Sequence, residues 1–196
     1  SYLTIDSFLT TNIKSLSQKG HKIFIITNFN SKKKFFRNLN VNLINLNFQR
    51  KISIINDINC LFKLFFLLLS IRPNMVVSIS PKAGIITAIA GFLLKIKIRI
   101  HIFTGQVWAN KKNIFFKTLL VSLDKIIASL STYLIIDSSA QKKFLIRNNV
   151  IKNVKKSKVI LNGSMCGVDT KLFKRNNNAK IAVRKKLLID KKSIVL

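Results

Sequence analysis

The sequence predicts an α/β fold, a parallel β-sheet with helices packed on both faces. Three observations carry this. Strand and helix signals alternate along the chain instead of clustering. The strand candidates are short continuous apolar runs, such as KIFIITN (Lys22–Asn28) and IRIHIF (Arg99 with its neighbours Ile98–Phe103), the pattern of strands covered on both sides. Four polar loops follow strand candidates, at Ser78–Gly84, Thr104–Lys112, Asp137–Gln141 and Asn162–Asp169. In a parallel sheet these loops converge at the carboxyl ends of the strands, where ligands sit.

Each element has its own signal. Ser7–Lys19 reads as a helix capped by Asp6 or Ser7 and stopped by Gly20. Lys22–Asn28 is a buried strand, Ser31–Lys34 a basic turn, and Val41–Leu46 a second strand by alternation. Ile54–Ile71 is a long apolar helix that has to end before Pro73. Met75–Ile79 is a strand, Ser80-Pro81-Lys82 a loop, and Ala83–Lys95 a helix rich in small residues. After the strand Ile98–Phe103 comes an amphipathic helix, Asn113–Leu130, with Leu119, Leu123, Ile126, Ile127 and Leu130 on one face. Tyr133–Ile136 is a strand, and Ser138-Ser139-Ala140-Gln141 opens the next helix with a capping box. Val159–Leu161 is a further strand, followed by a glycine-rich loop. No internal repeat of fixed period is visible. The run Arg175-Asn176-Asn177-Asn178 reads as a linker, which places a domain boundary near residue 175. Beyond it Ala179–Leu188 reads as a helix and Ser193–Leu196 as a strand just begun. Both ends look cut, since Ser1 is not a start Met, and the chain reads as a piece of something longer.

Size and composition bound the function. A chain of 196 residues buries a sizeable core, and 48% hydrophobic with 21% charged residues is globular rather than disordered. The charge is extreme: 35 basic residues against 6 acids, all Asp, for a formal +29. Three causes compete. Lys and Arg displace counterions from nucleic-acid phosphates, and they hold to anionic membrane surfaces. Alternatively, codon drift in an A+T-rich genome loads a chain with Lys, Asn, Ile and Phe. Lys outnumbers Arg, whereas base readers lean on bidentate Arg, so no specific nucleic-acid partner is expected. Cys60 and Cys166 have no metal-ligand or CxxC spacing and fit a reducing cytoplasm; Cys60 lies in an apolar helix and Cys166 in a loop. There is no signal-peptide pattern. The apolar runs Leu61–Ile71 and Gly84–Leu94 are about half the length a spanning helix needs, with Lys63 and Lys95 interrupting or ending them.

The strand-end loops carry the candidate chemistry. Ser80-Pro81-Lys82-Ala83-Gly84 sets a Lys at a helix N-terminus, where free N–H groups and the dipole favour a phosphate; a solvated turn lysine is the plainer reading. His101 lies inside an apolar strand, as a base or as a packed core residue, and His21 follows a helix end. Trp108, the single Trp, offers its face to a sugar or a lipid, or else to the core. Asp137 accepts from a sugar hydroxyl or only holds its loop. The stretch Asn162–Asp169 has glycines that suit close approach to a ligand or a hinge. No GKS or GKT follows it, and GxGxxG, HExxH and GxSxG are absent from the chain.

Read in order, PNMVVSISPKAG (73–84), RIHIFTGQVWA (99–109), LIIDSSAQKKFL (134–145) and NGSMCGVDTKLF (162–173) resemble the N-terminal half of glycosyltransferase family 4, in its bacterial capsular-polysaccharide and lipid-linked-oligosaccharide branch. The resemblance covers roughly residues 5–175. It implies a GT-B fold of two Rossmann-like domains facing a cleft. Residues 1–175 would be the acceptor-side N-terminal domain, without its first strand and glycine-rich turn, and 176–196 the linker and start of the donor-binding domain. It further implies transfer of a sugar, with retention, from a nucleotide-sugar donor to a polyprenyl-diphosphate-linked glycan acceptor. No cofactor and no metal are implied, and the enzyme would be cytoplasmic, peripheral to the anionic inner face of the membrane. The implied substrate-binding residues are Lys82 and Gly84 for an acceptor phosphate; Thr104, Gly105, Gln106 and Trp108 as acceptor loop; Asp137 and Ser138; and Asn162, Gly163 and Ser164 near the donor. Many relatives carry a His where this chain has Thr104, so no catalytic base is carried over. The isolated chain is expected to be inactive. Two rival readings are a GT-B-fold sugar-nucleotide epimerase, which needs no acceptor loop, and a basic nucleic-acid-binding module, which predicts a steep salt dependence of binding.

Overall fold

The computed structural model describes residues 2–29, 40–48, 53–164, 166–168, 170, 173–190 and 192–195. The basic turn expected at Ser31–Lys34 lies outside them. The described residues form an α/β fold with parallel sheets flanked by helices. In chain order the elements are α1 (Tyr2–Phe8), α2 (Thr10–Gln18), β1 (Ile23–Thr27), β2 (Val41–Asn45), α3 (Ile54–Ile71), β3 (Met75–Ile79), α4 (Pro81–Leu93), β4 (Ile98–Phe103), α5 (Ile114–Leu130), β5 (Tyr133–Ile136), α6 (Ser139–Arg147), a 3-10 turn (Val154–Lys156), β6 (Ser157–Val159) and α7 (Asn177–Lys186). The chain divides into two compact units, Ser1–Cys166 and Gly167–Leu196.

All strand pairs are parallel, in two sheets ordered β1-β2 and β3-β4-β5-β6. In the larger sheet Val76, Ser78, His101, Phe103, Leu134, Ile136 and Ser157 point to one face and are buried. Helices α3 to α6 cover that face, with Leu64 and Leu68 of α3 against Val76, and Ile127 of α5 and Leu145 of α6 against Phe103, Leu134 and Ile136. The opposite side chains, Met75, Val77, Ile98 and Tyr133, remain substantially exposed. In the smaller sheet Ile13 of α2 packs on Ile25, and Ile26 packs against the α3 cluster, so this sheet has helices on both sides. Among the described residues β1 pairs only with β2, and β3 only with β4. Every residue of β1 and of β3 lines one common cleft, whereas none of β2 does. The cleft is therefore lined by the two strands that, among the described residues, each leave one edge unpaired.

Several boundaries differ from the sequence reading. The single N-terminal helix is two, broken at Leu9. Helix α4 starts at Pro81, whose fixed φ and missing N–H suit the first turn. The strand β6 sits two residues earlier than the apolar triplet Val159–Leu161 suggests; Leu161 is 94% exposed and has φ 50°. Residues 193–195 form no strand. The core face of α5 is also rotated from the expected one. Asp124, Ile127 and Ala128 are buried, while Leu119 and Ile126 are largely exposed.

Part of the positive charge has a structural task. Lys156 Nζ donates to the carbonyls of Ala128, Ser129 (3.3 Å) and Ser131 (3.0 Å) at the end of α5. Arg99 Nε donates to Leu130 O at 2.7 Å. Two cations thus satisfy carbonyls that the last turn of a helix leaves without partners, at the negative end of its dipole. Burial, then the neighbouring Arg99, hold the Lys156 ammonium below its usual range. In the second unit Asn176 caps α7 by accepting from Ala179 N at 3.0 Å.

Candidate functional site

The loops at the carboxyl ends of β3, β4, β5 and β6 build the candidate site. The β3 loop is the tightest. Ser80 takes φ 78° and ψ 146°, a region that glycine normally occupies and that costs a serine about 1–3 kcal/mol. It delivers Pro81 and Lys82 into the first turn of α4. Lys82 Nζ forms an ion pair of 2.8 Å with Asp57 Oδ1 of α3, both half-buried. Its charge therefore already has an anion, and a phosphate would have to compete with Asp57 for it. Gly84 has a packing role of its own. It is buried, its N–H bonds Ser80 O at 2.8 Å, and an added Cβ would stand 2.5 Å from Cε1 of His101. The glycine leaves room for the imidazole to approach α4 closely.

His101 is a core residue. Its Nδ1 lies 2.8 Å from Ser78 Oγ, and its ring meets Phe103 edge-on at 4.6 Å between centroids. Burial pushes its pKa down to about 4, so the neutral ring is the resident form.

The β4 loop divides in two. Thr104 and Gly105 are exposed and Gln106 half-buried. Trp108, in contrast, is 2% exposed. Its indole N–H donates to Asp124 Oδ2 at 2.7 Å, and its ring stacks on Phe144 with centroids 5.1 Å apart. The sugar-stacking role expected of Trp108 is thereby corrected: its polar handle and one face are occupied, and it ties the loop to α5 and α6. Burial raises the Asp124 carboxyl to about 6 despite the opposing bond from Trp108.

Gln106 starts a chain of bonds that joins the loops. Gln141 Nε2 donates to Gln106 Oε1 at 3.2 Å, and the backbone N–H of Asp137 donates to Gln141 Oε1 at 3.1 Å. Asp137 O in turn accepts from Ser164 N at 2.8 Å. Gly163, at φ 107°, makes that approach possible, because a Cβ there would sit 2.3 Å from Asp137 O. Ser138 Oγ is engaged as the cap of α6, accepting from Gln141 N at 3.1 Å, so it is a positioning group here. What remains available is a polar row: Thr104, the amide of Gln106, the half-buried carboxylate of Asp137, and the exposed Asn162 and Ser164. Gln106 Nε2 is shielded from solvent and has no hydrogen-bond partner among the described residues. Such an orphan donor costs about 1–3 kcal/mol until something accepts from it.

The sequence reading named the loops but missed Asp57, Asp124 and Gln141 as partners. An acid on an otherwise apolar helix face, in a chain with so few acids, was the available signal for Asp124. Among the described residues no three His, Cys or Asp side chains come together as a metal site. Cys60 is buried and Cys166 half-buried, both as free thiols.

No protein-family model matches this chain. It is similar to the capsular polysaccharide biosynthesis glycosyltransferase CapM of Staphylococcus aureus, 29% identical over 178 residues, or 91% of this chain and 46% of that protein. The fold is similar to that of Anabaena Alr3699/HepE, whose crystal structure holds UDP and glucose. The TM-score is 0.58 at 14% identity, over 85% of this chain and 50% of that one. The chain thus spans about half the length of the relatives it matches.

Proposed function

We propose that this chain is the acceptor-side domain of a retaining glycosyltransferase of surface polysaccharide biosynthesis, built from residues 1–175, with 176–196 opening a donor-binding domain. Its donor is a nucleotide-sugar and its acceptor a polyprenyl-diphosphate-linked glycan at the inner face of the membrane. The observation that carries the reading is the polar row joined through Gln106, Gln141, Asp137 and Ser164 at the carboxyl ends of β4, β5 and β6. A row of fixed amides and a carboxylate on glycine-shaped backbone suits a ligand with several hydroxyls. Similarity to a capsular glycosyltransferase, and a fold shared with a protein that binds UDP and glucose, support the same direction.

In this reading Gln106 Nε2 donates to an acceptor hydroxyl and Asp137 accepts from one. Asn162 and Ser164 face the donor side. Lys82 meets an acceptor phosphate only by exchanging Asp57 for it, so the first turn of α4 supplies backbone N–H groups and Lys82 a cation released on demand. Gly84, Trp108 and Ser138 hold these groups in place.

The test is a transfer assay with the full-length protein, labelled nucleotide-sugars and short-chain polyprenyl-diphosphate-linked sugars. Gln106→Ala is expected to raise the acceptor KM about tenfold, the loss of one hydrogen bond, with a smaller change in kcat. Label that never reaches a lipid-linked product, or epimerised nucleotide-sugar formed without acceptor, overturns the proposal.

A further inference from the structure

Helix α3 carries two apolar stripes on opposite sides. One, Cys60, Leu64 and Leu68, is the inner stripe and packs into the core. The other, Ile55, Ile58, Phe62, Phe66 and Leu69, follows the helical repeat across the outer face and is exposed, Ile55 by 82%, Phe62 by 58% and Phe66 by 63%. A helix that is apolar all round normally has neighbours all round. Among the described residues this one has them on one side only. It is long and apolar enough to cross a bilayer by length and composition, yet its inner stripe packs into the core, which leaves its outer face for lipid. At its carboxyl end Arg72, Lys95 and Lys97, all exposed, gather around Leu69 in one recess. Lys63 adds a further exposed cation on α3 itself, and its one acid, Asp57, is paired with Lys82.

We infer that the outer face of α3 is a membrane-docking surface, lying in the plane of an anionic bilayer with Phe62 and Phe66 in the acyl boundary and Arg72, Lys95 and Lys97 on lipid phosphates. The helix is 18 residues, about 27 Å, long enough to hold the domain in one orientation. Aromatic and aliphatic groups on one face, with cations at the margin and a strongly positive chain, are the chemistry of interfacial helices. The charge selects lipid over a second copy of this chain, which would bring its own +29 to the contact. The inference names the surface behind the membrane contact of the proposed function and rests on that reading for its setting.

The test is flotation of the full-length protein with phosphatidylglycerol–phosphatidylcholine vesicles and with phosphatidylcholine alone, for wild type and the double variant Phe62→Ser/Phe66→Ser. Wild type is expected to float with the anionic vesicles. The variant is expected to lose at least about tenfold in partitioning, the equivalent of one buried aromatic, while its Tm and its transfer to a short-chain acceptor in free solution stay unchanged. Equal flotation of variant and wild type overturns the inference. So does sedimentation showing a wild-type dimer that the variant dissolves, which would assign the face to a second copy. If no acceptor receives sugar but flotation still depends on Phe62 and Phe66, the docking surface stands and the enzymatic reading fails.

Discussion

Two buried titratable groups with opposite shifts give the most exacting prediction. Asp124 is raised from 3.8 to about 6, and His101 is lowered from 6.5 to about 4. For Asp124 the folded protein holds a proton that the unfolded chain has released, so its stabilising contribution is full below 3.8 and is lost as pH rises to about 6. For His101 the unfolded chain holds the extra proton, so stability is full above 6.5 and is lost as pH falls to about 4. Each shift is worth about 3 kcal/mol at 1.4 kcal/mol per unit. Between pH 4 and 6 the two slopes have opposite sign and nearly cancel. The wild type should therefore show little net dependence from this pair. Asp124→Asn keeps an oxygen to accept from Trp108 but removes one titration, so its unfolding free energy should climb by about 3 kcal/mol from pH 4 to 6.5. His101→Gln should show the reverse, falling by about 3 kcal/mol from pH 4 to 6. Urea denaturation across that range measures the slopes independently of whatever each substitution costs outright. Variant profiles that run parallel to the wild type would refute the reasoning.

Three further outcomes follow from the same geometry. Gly84→Ala drives a methyl against His101 and Ile127; overpacking of about 1–3 kcal/mol outweighs the helix-propensity gain of about 1, so thermal melting should fall. Gly163→Ala strains a positive φ and forces Asp137 O, a backbone atom, to move; it should raise the acceptor KM in the transfer assay and lower Tm. Asp57→Asn releases Lys82 from a partly exposed pair. It should change stability by less than about 1 kcal/mol in denaturant titration, yet strengthen the protein's competition for inorganic pyrophosphate.

The strands β3, β4 and β5 were legible to the residue because their apolar runs end at Ser80, Thr104 and Asp137, where polarity changes sharply. The strand β6 was not. It opens on Ser157 and Lys158 at the margin of the sheet, and the greasier Ile160 and Leu161 that follow it are exposed in a turn. The convergence of loops was readable from topology, since parallel strands leave no other place for them. The fate of individual side chains was not. Trp108 and Gln106 stand two residues apart in one turn, and only the tertiary partners Asp124, Phe144 and Gln141 decide which goes inward. The neighbours of Lys82 and Gly84 were hidden for the same reason: Asp57 and His101 reach them from 25 residues before and from the next strand.

The cleft between β1 and β3 has a consequence for pairing. A strand edge without a neighbour presents a row of N–H and C=O groups ready to pair with another strand. Among the described residues β1 and β3 each leave one such edge free, and both strands line the cleft. What joins the two sheets there is helix packing, through the inner stripe of α3, which meets both Ile26 and Val76. The inner side of that helix thus ties the sheets together, and its outer side is the face assigned to the membrane.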